Sequence, residues 1–192
     1  MKFFGKICLN RKNNSMKIAI ISDIHNNEVN LEKVLDYCGE NKIEKIICCG
    51  DLASKETLDF LNDTFSGEIH YCFGNMDNEQ LHDISAKGGP ASGWDFNKNY
   101  RNTFIFKDFG EVKIDDRKIA FVHFPREAKK LAETGKYDFV FYGHTHKPWT
   151  EKIGNCIMLN PGNVTGDFYP PTFATWDTEN NKFELIRIHE LK

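Results

Sequence analysis

Four short polar clusters in this 192-residue chain carry side chains able to hold metal ions: Asp23-x-His25, Gly50-Asp51, Gly74-Asn75-x-Asp77 and Gly143-His144-x-His146. A further histidine, His123, lies near the end of another apolar run. With Asp77 set aside, these positions supply four histidines, two aspartates and one asparagine, a mixture of imidazole and oxygen donors that suits borderline divalent ions rather than calcium. Seven ligands exceed what one tetrahedral zinc takes. They suit two ions if one carboxylate bridges, because each ion then has about four protein ligands and keeps room for water and substrate. Asp51, the only acid in its loop, is the candidate bridge. Two such ions lower the pKa of a shared water and neutralise phosphate oxygens as charge moves toward the leaving group, so the chemistry expected is phosphoester hydrolysis.

The clusters need elements that bring them together. Residues 17–22, 43–49, 68–73 and 137–142 are short apolar runs that read as buried strands, and each runs into one of the clusters. Val29, Leu31, Val34, Leu35 and Cys38 recur at helical spacing before Gly39, and Ser54 is placed to cap a second helix whose Leu58, Leu61 and Phe65 share a face before Gly67. Strand, loop and helix in alternation argue for a doubly wound α/β sheet, whose ligands sit outside the carboxyl ends of the strands.

Residues 103–106, 112–114 and 118–124 are expected as antiparallel strands, with Asp115-Asp116 as the intervening turn. Pro125 suits the first turn of a helix that Gly135 ends. Beyond His146 the helical periodicity stops, and residues 156–159, 172–176 and 183–188 predict a second sheet of mainly antiparallel strands packed face to face on the first. Residues 84–102 have no clear period; they read as a surface excursion whose Trp94, Phe96 and Tyr100 line a substrate cleft or form an aromatic mini-core.

Lys and Arg total 25 against 28 Asp and Glu, a net charge of −3 with no basic patch, which argues against nucleic acid as a partner. The six cysteines show no C-x-x-C spacing and mostly lie in apolar runs, as expected in a reducing cytoplasm. No run approaches membrane-spanning length. Residues 1–15 are basic, but Lys6 interrupts their apolar stretch, so they read as an extension rather than a signal peptide; residues 16–192 read as a single domain.

Taken in order, Asp-x-His, Gly-Asp, Gly-Asn-x-Asp, a lone His and Gly-His-x-His resemble the calcineurin-like metallophosphoesterase superfamily, and in particular its small single-domain bacterial and archaeal phosphodiesterases. The resemblance covers about residue 16 to the C-terminus. It implies an α/β fold, a four-layer α-β-β-α sandwich of two mixed sheets flanked by helices. It also implies that Asp23, His25, Asp51 and His146 hold one divalent ion while Asp51, Asn75, His123 and His144 hold the other. Manganese is favoured, with iron, zinc, nickel or cobalt open. The catalytic set expected is Asp51, Asn75, His123 and, as an orienting residue at most, Asp77. Asn160-Pro161-Gly162 matches a further family motif, expected to be structural. Two positions depart from the family. Met76 stands where many members have a histidine that assists the leaving group, and its thioether cannot donate a proton, which favours diesters or activated esters. Phe124 stands where glycine usually follows the histidine, and its ring narrows the mouth of the site.

Blander readings compete. Any one of these histidines alone is better explained by a structural hydrogen bond, and His70, His82 and His189 are left as surface or packing residues. Asp23 or Asp51 can cap a following helix, and Cys48-Cys49 is strand filler. The expected activity is hydrolysis of a small soluble phosphate ester, with a homo-oligomer left open. The alternative is a non-catalytic metal-binding scaffold resembling the small subunit of the eukaryotic retromer coat, against which stands the complete set of seven ligand positions.

Overall fold

The computed structural model describes residues 16–86 and 98–191. Residues 1–15, Trp94 and Phe96, for which the sequence raised expectations, lie outside the described residues. Three strand–helix units open the described chain: β1 (Lys17–Ile21), α1 (Glu28–Glu40), β2 (Lys45–Cys48), α2 (Lys55–Thr64), β3 (Glu68–Cys72) and α3 (Glu79–Ala86). Two hairpins follow, β4 (Lys98–Tyr100) with β5 (Thr103–Phe106) and β6 (Phe109–Ile114) with β7 (Arg117–Val122). The chain continues through α4 (Pro125–Glu133), β8 (Phe139–Tyr142), β9 (Trp149–Ile153), β10 (Cys156–Asn160), β11 (Thr172–Asp177) and β12 (Lys182–Arg187) to a 3₁₀ turn at Ile188–Glu190.

Local chemistry sets the helix starts. The Asn27 side chain accepts the Asn30 N–H at 3.1 Å to cap α1, and Ser54 accepts the Thr57 N–H at 3.3 Å to cap α2. Asp23 and Asp51 are therefore not the caps. Leu31, Val34, Leu35 and Cys38 of α1 face the core as their spacing requires, whereas Val29 is exposed. Pro125 opens α4, and Gly135 follows its end with a φ of +67°.

The first sheet has the order β12-β11-β1-β2-β3-β5-β4 and the second β6-β7-β8-β10-β9. Both are mixed. β1, β2, β3 and β5 run parallel, as do β7, β8 and β10. Two expectations are corrected here. Residues 103–106 were expected antiparallel among their successors, but β5 lies parallel to β3, because the connection between them contains α3 and is long enough for a crossover. Residues 172–176 and 183–188 do not belong to the second sheet: β11 pairs antiparallel with the free edge of β1, and β12 with β11. The second sheet, with parallel strands at its centre, is thus not mainly antiparallel.

β11 shows why that placement is stable. Phe173 packs with the helices on one face while Ala174 and Trp176 enter the space between the sheets on the other. α1 and α2 cover the outer face of the first sheet and α4 that of the second, leaving Ile18, Ile20, Phe121, Phe141 and Trp176 between the sheets. The result is the four-layer α-β-β-α sandwich. Cutting Phe121, Phe141 or Trp176 back to alanine costs about 3–5 kcal/mol each. The carboxyl ends of β1, β2, β3, β7 and β8 are the points from which all seven candidate ligands project.

Candidate metal centre

The loops at these strand ends are tied together by main chain. Asp23 N–H donates to the Gly50 carbonyl, Ile24 and His25 N–H both donate to the Asp51 carbonyl, and Gly143 N–H donates to the His123 carbonyl, at 2.9–3.1 Å. Asp23, His25, Asp51, His144 and His146 all take left-handed backbone conformations, with φ from 48° to 68°. For residues other than glycine such conformations cost roughly 1–3 kcal/mol each and cluster at functional sites. The close approach leaves no room for further atoms: a Cβ on Gly74 would stand 2.1 Å from Asp51 Oδ1, and one on Gly143 2.7 Å from Asp23 Oδ2. These glycines make space for the neighbouring carboxylates.

The side chains meet in two groups on either side of Asp51. His146 Nε2 lies 3.3 Å and His25 Nε2 3.8 Å from Asp23 Oδ1. His123 Nε2 lies 3.3 Å from Asp51 Oδ2, 3.1 Å from Asn75 Oδ1 and 3.3 Å from His144 Nδ1; His144 Nδ1 is 2.9 Å from the same Asn75 oxygen. Asp51 stands between the groups. Its Oδ2 is 3.3 Å from His123 Nε2 and 3.6 Å from His25 Nε2, while its Oδ1 accepts the Met76 N–H at 2.8 Å. All seven predicted positions are thereby brought to one edge of the fold.

The ring nitrogens are assigned by their other partners. A carbonyl only accepts, so His123 Nδ1, 2.9 Å from the Cys49 carbonyl, carries a proton and leaves Nε2 as the lone-pair donor. His146 Nδ1 is held likewise by the Asp167 carbonyl at 3.1 Å. His144 differs, presenting Nδ1 to Asn75 and His123.

Burial and charge describe a site built for cations. Asp23 and Asp51 are both buried. Burial opposes the charge of Asp23, yet contacts with His146 and His25 and the nearby His123 outweigh it and hold the carboxyl well below the usual carboxylate range. His146 is raised by its contact with Asp23 against its burial, and His123, which burial lowers, is raised on balance by Asp51. His25 Nε2 is buried without a hydrogen-bond partner among the described residues. Two groups, Asp23–His25–His146 and Asp23–Asp51–His123, have ligand atoms within 4.8 Å of one another. Two buried carboxylates, an orphaned imidazole nitrogen and imidazoles oriented from behind fit divalent ions that accept nitrogen and oxygen donors.

Asp77 has another task. Its carboxylate accepts the Gly74 N–H at 2.6 Å, the Asp51 N–H at 3.1 Å and the Ala53 N–H at 2.8 Å, clamping the β2 loop to the β3 loop. Burial raises its pKa above the ordinary value. It orients Asp51 through the backbone. Asn160, in the motif expected to be structural, donates to the Gly143 carbonyl at 2.9 Å and to Thr145 Oγ1 at 3.0 Å.

Three neighbours escaped the sequence reading. Asn163 Nδ2 donates to the His146 carbonyl at 3.0 Å, Asp167 orients His146 through its main-chain carbonyl, and Phe168 places its ring 5.5 Å from that of His146. Only Asn163 had a visible signal, standing directly after Asn160-Pro161-Gly162. His70 is buried in β3, stacked on Phe104 with ring centroids 5.1 Å apart and bonded to Glu68, which makes it a packing residue.

Residues 16–181 match the model of the calcineurin-like phosphoesterase superfamily domain. The chain belongs to this superfamily. A phosphodiesterase of Methanocaldococcus jannaschii is 31% identical over 175 residues, covering 89% of this chain and 98% of the relative. Among solved structures, a novel archaeal phosphodiesterase superposes with a TM-score of 0.75 at 29% identity, over 90% of this chain and 99% of the other. The Vps29 of Entamoeba histolytica, solved with Zn²⁺, shares the fold at a TM-score of 0.57 and 24% identity, over 90% of this chain and 99% of the other. Membership accounts for the calcineurin-like ligand order, and with it for divalent metal ions as the cofactor.

Proposed function

We propose that this calcineurin-like protein is a two-metal phosphodiesterase acting on a small, soluble phosphate ester. The observation that carries the reading is Asp51: one carboxylate oxygen faces His123 on one side and His25 on the other while Met76 N–H restrains its partner oxygen. A carboxylate so placed suits a bridge, with Asp23, His25 and His146 completing one ion's ligands and Asn75, His123 and His144 the other's.

Two bound divalent ions supply a water that is acidic near neutral pH and neutralise charge on the phosphate. The reaction replaces the leaving alcohol with water at phosphorus. The protein's part is positioning. Cys49 and Asp167 carbonyls hold the His123 and His146 rings in one tautomer, and Asp77 sets the β2 and β3 loops. Met76, half-exposed beside Asn75, offers the leaving group no proton. Leaving groups of low basicity and diesters are favoured for that reason. Manganese is the metal we favour, iron, zinc, nickel and cobalt being chemically acceptable. Buried free thiols at Cys48, Cys49 and Cys72, whose pKa values burial pushes well up, support a reducing compartment such as the cytoplasm. No helix among the described residues is long and apolar enough to cross a membrane.

The likeness to Vps29 favours a second reading, a protein-binding scaffold, at the level of the fold. The filled ligand set favours the enzyme. The deciding experiment is hydrolysis of bis-p-nitrophenyl phosphate and p-nitrophenyl phosphate by chelator-stripped protein with manganese restored. Manganese-dependent turnover that prefers the diester is expected; metal binding without turnover by any divalent ion would replace the enzyme with the scaffold.

A further inference from the structure

Each half of the ligand set carries a phenylalanine on its solvent side. Phe124 packs edge-on against His123 and His144, with ring centroids 5.0 Å and 4.9 Å away. Phe168 packs against His146 at 5.5 Å, and His146 in turn against His25 at 5.2 Å. The two rings thus flank the centre, one beside each group of imidazoles.

Folding alone would not select either residue. Phe168 has a φ of +65° and sits at the centre of a turn in which Tyr169 N–H donates to the Asp167 carbonyl at 2.8 Å, a positive-φ γ-turn that is rare and strained. Glycine or asparagine takes that conformation at little cost, whereas a bulky aromatic does not. The turn itself has a purpose, since the Asp167 carbonyl holds His146 Nδ1. That purpose needs no phenyl ring, yet the ring is present and 92% exposed. Phe124 occupies the N-cap of α4 and makes no side-chain capping bond, where serine, threonine or aspartate would. It too is exposed, at 37%.

Resting on the phosphoesterase reading above, we propose that Phe124 and Phe168 are specificity residues that each receive an apolar, aromatic substituent of the ester, so that the preferred substrate is a diester whose two arms are both aromatic. A phosphate held at the centre directs its two substituents outward, and a ring beside each imidazole group offers an edge or a face to a planar arm. Polar or aliphatic arms gain less there.

The test uses manganese-restored protein and two diester analogues with the same leaving group, p-nitrophenyl phenylphosphonate and p-nitrophenyl methylphosphonate. The wild type should show a KM for the phenyl ester lower by up to about tenfold, the scale of one aromatic contact. Phe168→Gly relieves the turn and Phe124→Ser supplies a cap, so both variants should melt at or above the wild-type temperature. The double variant should bring the KM ratio near one, with the loss in KM rather than kcat; if it fails to fold, Phe168→Gly alone decides. An equal KM for both esters in the wild type, or a preference that survives in folded variants, overturns the inference. If neither ester is hydrolysed with any divalent ion, the phosphoesterase reading fails separately, and calorimetry decides the inference. Tighter binding of phenylphosphonate than methylphosphonate to the manganese-loaded protein, weakened by the substitutions, upholds it, and equal affinities overturn it.

Discussion

Asp23 and His146 are buried, and their group keeps a nitrogen, His25 Nε2, without a hydrogen-bond partner among the described residues, whereas Asn75 and His144 are exposed and His144 Nδ1 lies within reach of two acceptors, Asn75 Oδ1 at 2.9 Å and His123 Nε2 at 3.3 Å. The first group also has a carboxylate of its own beside the shared Asp51; the second has a neutral amide in that place. A cation entering the first group relieves buried charge and an orphaned nitrogen, while one entering the second must displace the hydrogen bond that His144 Nδ1 donates to Asn75. Ligand charge and rigidity set metal affinity. On the proposed two-metal reading the two positions should therefore be unequal, the Asp23–His25–His146 position binding more tightly and the Asn75–His123–His144 position exchanging more readily.

The largest effect should come from the residue the groups share. Asp51→Asn is expected to weaken both ions and lower kcat/KM on the order of 10³-fold, the scale of losing a main electrostatic stabiliser; calorimetric titration with manganese checks the first and steady-state kinetics the second. Next, single ligands should separate the halves. His25→Ala should weaken the tighter ion by about 100-fold or more, while Asn75→Ala should leave it in place and weaken only the second, by roughly tenfold. Equal losses at both ions from either substitution would abolish the asymmetry.

Smaller changes sharpen the contrast. Asn163→Ala removes the bond to the His146 carbonyl and should weaken the tighter ion by about tenfold, leaving the weaker one unchanged in the same titration. Met76→His places a proton donor beside the second group. It should raise monoester turnover relative to diester by a few fold, below the roughly 10²–10⁴ of a fully positioned general acid because the position is half-exposed, and leave metal stoichiometry as it was. A changed manganese stoichiometry would mean that the introduced imidazole had joined the ligand set instead.

Much of this was legible in the chain alone. Strand ends, the cap at Ser54, the start of α4 at Pro125 and the grouping of the seven candidate ligands depend on local pattern and on the rule that parallel strands present their carboxyl ends together. What local pattern lacks is the identity of a strand's neighbour. Residues 172–176 read correctly as a strand, but only packing could decide that Trp176 fills the space between the sheets and Phe173 the space under the helices, which puts β11 beside β1.

The same division runs through the site. Side-chain types pointed to Asp23, His25, Asp51, Asn75, His123, His144 and His146 because imidazoles, carboxylates and an amide in this order have a chemistry of their own. Tertiary structure alone decided which nitrogen His123 and His146 present, since that depends on carbonyls of Cys49 and Asp167 contributed by distant segments. It alone turned Asp77 into a backbone clamp and set Phe168 beside His146. A residue that acts through its main chain, or through the place its neighbours force on it, leaves no trace in its own letter.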